Sequence, residues 1–81
     1  MIIHINNISE LKLLAESVGF QVSSILDRED IKQVSTREGA VVNWFPSTGR
    51  LSFQGDMDSA DRMEVLIEKE LQKRGDVPLT F

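Results

Sequence analysis

The chain has no cysteine. That one absence removes disulfides, thiolate nucleophiles and every cysteine-based metal site. A small fold without such staples rests on its core, on a partner or on self-association. Freedom from cysteine also fits a reducing compartment. There is a single histidine, His4, so a histidine cluster that would hold a metal cannot form. No apolar run approaches the roughly 18 residues of a membrane span. The opening Met1-Ile2-Ile3-His4-Ile5 is too short and too uncharged for a signal peptide. The protein is expected to be cytoplasmic, without membrane contact.

Bases are outnumbered as well. Thirteen acids stand against nine bases, for a net charge of −4, which argues against a surface built for nonspecific phosphate contact. With 81 residues the chain is one domain, residues 1–81. A chain of this size buries about 60–65% of its unfolded surface, which leaves a thin core. Ligand cavities of roughly 300 Å³ or more consume core that such a domain cannot spare. A presented surface is expected rather than an enclosed substrate site.

The pattern of apolar residues gives the elements. Ile2, Ile3 and Ile5 read as a short first strand, since β-branched side chains suit a pleated surface. Residues 8–18 form a first helix: Asn7 is a good N-cap with Glu10 three positions on, Ile8, Leu11, Leu14, Ala15 and Val18 share a face, and Gly19 is a natural stop. Residues 20–30 are ambiguous between extended and turn. Residues 31–36 alternate loosely as a strand, and Arg37-Glu38-Gly39 is a turn. Residues 40–45 and 50–54 are strands joined by the tight turn Pro46-Ser47-Thr48-Gly49. Gly55 breaks the second of them. A long helix follows over residues 59–74, capped by Asp58 or Ser59, with Ala60, Met63, Leu66, Ile67 and Leu71 as its apolar stripe and Gly75 after it. Residues 76–81 are an extended tail in which Val77, Leu79 and Phe81 alternate, a pattern able to add as an edge strand to a neighbour or a second copy. The expected fold is α+β, two layers in the order β-α-β-β-β-α, an antiparallel sheet with both helices packed on one face. The other sheet face is then open.

No residue set carries visible catalytic chemistry. His4 has no partner for acid–base or nucleophilic work. Asp27, Glu29 and Asp30 form one carboxylate cluster; Asp56, Asp58 and Asp61 form another. The second lacks the glycine and distal glutamate of a calcium loop, and acids at a helix start cap it and match its dipole. Pro46-Ser47-Thr48-Gly49 lacks the lysine and the strand–loop–helix setting of a phosphate loop. Neither a metal nor a cofactor is expected, and the chain is read as a non-enzyme. Trp44 and Phe45 are neighbours and so face opposite sides of their strand. One register makes Trp44 an exposed binding anchor; the other makes it core. Lys32, Arg37 and Arg50 lie in the strand region, whereas the second helix is acid-rich.

The segment from Val41 to Arg74, with Trp44-Phe45-Pro46-Ser47-Thr48-Gly49-Arg50-Leu51-Ser52-Phe53-Gln54-Gly55 at its centre, resembles the strand–turn–strand–helix of TATA-box-binding-protein-like domains. In particular it resembles the N-terminal domain of bacterial ribonuclease HIII. That resemblance implies nucleic-acid contact through the sheet face, here by Lys32, Arg37, Trp44 and Arg50. The chain also looks like small phage or prophage proteins in its size, its acidity and its hairpin Asn43-Trp44-Phe45-Pro46-Ser47-Thr48-Gly49. Such proteins include inhibitors of host defence, anti-CRISPR proteins among them, some with an acidic surface that imitates DNA. The reading preferred is a protein-binding inhibitor in which Asp58, Asp61, Glu64 and Glu68, with Trp44 as an anchor, occupy a basic groove of a host protein. The alternative is a nucleic-acid-binding domain using the open sheet face.

Overall fold

A computed structural model of the protein describes residues 2–74. Its elements run α1 (Ile8–Ser17), β1 (Val22–Asp27), β2 (Lys32–Thr36), β3 (Ala40–Phe45), β4 (Arg50–Gly55) and α2 (Met57–Lys73). The four strands form one antiparallel sheet in chain order, β1-β2-β3-β4. α1 packs over β1 and β2, and α2 over β3 and β4. The architecture is therefore α+β with both helices on one sheet face, as the pattern predicts. Two assignments within it differ. The Ile2–Ile5 segment is not a full strand: it makes one antiparallel bridge, Ile2 to Arg50, backed by the Ile3 amide donating to the Gly49 carbonyl at 2.8 Å. The fourth strand comes instead from the ambiguous stretch, as β1. The tail 76–81, and Gly75 before it, lie outside the described residues.

Local chemistry explains the helix ends. Asn7 caps α1, its Oδ1 accepting from the Glu10 amide at 3.2 Å, while the Glu10 carboxylate reaches back one residue further to the Asn6 amide at 2.8 Å. α2 starts earlier than its apolar stripe implies. Asp56, not Asp58 or Ser59, is the cap, its carboxylate accepting from the Ser59 amide at 3.0 Å. Ser59 is turned inward, its hydroxyl donating to the Glu38 carbonyl at 2.7 Å and tying α2 to the β2–β3 turn. At the β3–β4 turn the Gly49 amide donates to the Phe45 carbonyl at 2.7 Å, and Gly49 takes φ 74°, a left-handed conformation that costs glycine little.

Register decides what is inside. Val34, Val42 and Phe53 lie in one row across the sheet, and Lys32, Trp44 and Leu51 in the next row on the same face. This is the face that the helices cover. Leu11, Leu14 and Ala15 of α1 and Met63, Ile67 and Leu71 of α2 meet Val34, Val42, Trp44 and Leu51 there in one hydrophobic cluster, closed by Ile5 and Phe20. Burying each large side chain of this set contributes about 1.5–3 kcal/mol. No helix among the described residues is long and apolar enough to cross a membrane.

Candidate functional site

Trp44 belongs to the core, so its role as an exposed anchor is corrected. It is 7% exposed, and its indole Nε1 donates to the Ile3 carbonyl at 3.1 Å. Parity is the cause: Trp44 shares its face with Ala40 and Val42, both fully buried, and Phe45 therefore takes the open side.

The same parity separates the bases expected to act together. Lys32 lies opposite Trp44 on the covered face. Its ammonium pairs with Asp27 across the β1–β2 ladder and donates to the Arg28 carbonyl. Arg50 lies opposite Phe45 on the open face, and Arg37 sits in the turn beyond β2. Lys32, Arg37, Trp44 and Arg50 thus do not form one sheet-face patch. The open face carries Leu26, Gln33, Ser35, Val41, Asn43, Phe45, Ser52 and Gln54, and Arg50 is the one charged strand residue on it. Its centre is neutral, with the Gln33 amide donating to Asn43 Oδ1 at 2.8 Å.

The remaining sequence candidates fall apart as a constellation. His4 contacts Asn6 at the surface. Asp27 is engaged by Lys32, while Glu29 and Asp30 are exposed in the β1–β2 turn. Asp56 is used as a cap. No group of three or more ligating side chains that would hold a metal occurs among the described residues.

Three of the four acids expected on α2 do come together. Asp58, Asp61, Glu64 and Glu68 are all exposed, and none joins an ion pair among the described residues. At 100° per residue, Asp61, Glu64 and Glu68 fall on one flank of the helix, whereas Asp58 falls past Val65, beside Lys69. Arg62, Lys69 and Lys73 fall on the opposite flank, with Val65 between the two sets and 49% exposed. The structure gives each flank a direction. The Arg62 guanidinium lies 5.1 Å above the Phe20 ring, so the basic flank turns Arg62 toward the α1–β1 connection. Glu64 lines an open groove of about 610 Å³ with Leu51, Ser52 and Phe53, so the acidic flank overhangs the outer edge of β4.

That edge could not be found from the pattern, because strand order is not written in periodicity. β4 ends the sheet. Only Ile2 bridges its outer side among the described residues, at its first position. A second groove, about 450 Å³, lies between the N-terminal segment, α1 and the end of α2, lined by His4, Leu13, Leu71 and Arg74 among others. Its polar lining groups are engaged locally, His4 and Glu10 by Asn6 and Arg74 by Glu70.

Comparison with known proteins finds no matching family model, no matching curated protein and no matching solved structure.

Proposed function

We propose that this chain is a non-enzymatic protein-binding module, and that it acts by laying the acidic flank of α2 against a basic, nucleic-acid-binding surface of a host protein. The mode of action is occlusion, in the manner of a phage-type inhibitor. The observation that carries the reading is the sidedness of α2: Asp58, Asp61, Glu64 and Glu68 are exposed and have no ion-pair partner among the described residues, and three of them, Asp61, Glu64 and Glu68, gather on the flank toward the outer edge of β4. Free carboxylates on a rigid helix present a fixed negative field, which steers association with a basic partner. The absence of cysteine fits work in a reducing cytoplasm.

The test is capture from host lysate, with nuclease-treated and untreated arms, using the native chain and two double variants. Asp61→Lys/Glu64→Lys should abolish capture of a nuclease-resistant protein, and Arg37→Glu/Arg50→Glu should retain it. Recovery that requires intact nucleic acid and is lost with Arg37 and Arg50 would overturn the proposal in favour of a nucleic-acid-binding domain.

A further inference from the structure

The two ends of the sheet are not alike. β1 carries a register shift between Val22 and Ser24, and a bulge blunts an edge against pairing. β4 has none: its register with β3 runs unbroken from Gly55 opposite Ala40 to Arg50 opposite Phe45. Beyond Gln54, the Asp56 amide donates to the Gly39 carbonyl at 2.9 Å. Alternation of an antiparallel ladder then directs Gln54, Ser52 and Arg50 toward β3, and it directs the N–H and C=O of Phe53 outward. Among the described residues nothing meets them. Phe53 is half-buried and lines the same open groove as Glu64.

We infer that the outer edge of β4 accepts an extended segment of a partner as a fifth strand, and that this segment carries lysine or arginine at alternate positions. The inference rests on the proposed acidic-flank reading and names what the flank would recognise. A strand added beside β4 turns alternate side chains to opposite faces. Those on the helix side stand beneath Glu64, Asp61 and Glu68, and only cations there are matched. Those on the other side meet Ser52 and Gln54, beyond the Ile2–Arg50 bridge, where neutral polar side chains fit. Main-chain hydrogen bonds would supply affinity and the alternate positions specificity. A second copy of this chain is disfavoured by the same charges. β4 paired with its own copy about a two-fold axis sets the two acidic flanks against each other.

The probe is a synthetic ten-residue peptide alternating lysine with threonine, titrated at low salt against the full chain. Amide exchange at Phe53 should slow at least tenfold in the complex. N-methylation of Phe53, introduced by total synthesis, removes an outward N–H without touching the β3–β4 ladder, and should weaken binding at least tenfold. Asp61→Lys/Glu64→Lys should do the same, and a glutamate–threonine peptide should not bind. Absence of peptide binding overturns the inference. So does binding that leaves Phe53 exchange and the N-methylated chain unaffected; the partner then meets the helix acids alone, and the proposed function stands. Loss on N-methylation without loss on charge reversal would overturn the basic chemistry of the strand. Concentration-dependent dimerisation abolished by N-methylation would make a second copy the occupant. The exchange measurement on the unmodified chain decides the matter should the synthetic chain fold poorly.

Discussion

Trp44 and Ile3 are joined by a hydrogen bond of 3.1 Å across 41 positions of sequence. It fastens the N-terminal segment to the end of the sheet, beside the point where Ile2 bridges Arg50. Replacing Trp44 by Phe keeps an aromatic ring but leaves the carbonyl without its donor. The expected cost is about 1–3 kcal/mol, read as a lower urea midpoint by far-UV circular dichroism. In the native chain the single tryptophan should emit at short wavelength and resist acrylamide quenching. Emission at the wavelength of free indole would contradict the register.

Gly55 is the second point of close approach. With φ 99°, a Cβ added there would stand 2.1 Å from the Gly39 carbonyl oxygen, whereas one added at Gly19, with φ 94°, would meet nothing within 4 Å. Both substitutions by alanine carry the left-handed penalty of about 1–2 kcal/mol. Only Gly55→Ala must also move backbone, and it should cost roughly 3 kcal/mol or more. Paired denaturation curves check the order; equal losses would refute the contact.

On α2, Ile67 is fully buried and Leu66 only partly so. Ile67→Ala should cost about 2–5 kcal/mol, a large share of a small domain's stability. Leu66→Ala should cost less, the difference again read from unfolding midpoints.

Salt separates steering from contact. Screening shortens from about 10 Å at 0.1 M to about 3 Å at 1 M, so partner association should slow steeply over that range. The Asp61→Lys/Glu64→Lys chain should show a low association rate throughout, with little further salt dependence. Arg37→Glu/Arg50→Glu should bind at least as fast as the native chain. Stopped-flow association rates would decide, and the reverse ranking would favour nucleic acid as the ligand.

Much of this fold was legible because its signals are local. The apolar stripe of α2, Asn7 with Glu10 in α1, and Pro46 to Gly49 between two strands each declare an element within a few residues, although the cap of α2 is Asp56 and not Asp58 or Ser59. The acidic flank was legible for the same reason, since helical spacing places Asp61, Glu64 and Glu68 side by side. What failed required partners distant in the chain. β1 lost its alternation to the bulge after Val22, so Val-Ser-Ser-Ile-Leu-Asp gave no period-2 signature. Ile2, Ile3 and Ile5 have strand composition, yet Ile5 turns into the core and the Ile3 carbonyl is engaged by Trp44. Trp44 and Phe45 are both apolar and gave no vote on which faces inward. Asn43, on the side of Phe45, was the lone hint. Lys32 appeared to belong with Arg50 only because cross-strand parity is invisible before the register is known.

The sheet order repeats the chain order, so every ladder in it closes between consecutive strands through a short turn. Folding can then zip from the β3–β4 hairpin in either direction, with little loop entropy lost at each step. The exception is the join of Ile2 and Ile3 to Arg50, Gly49 and Trp44, which must wait for the rest. A contact formed after the rate-limiting step governs escape rather than arrival. Weakening it should leave the refolding limb of a chevron almost unmoved and raise the unfolding limb, so that the joins made by Ile2 and Ile3 set how long the native chain lasts.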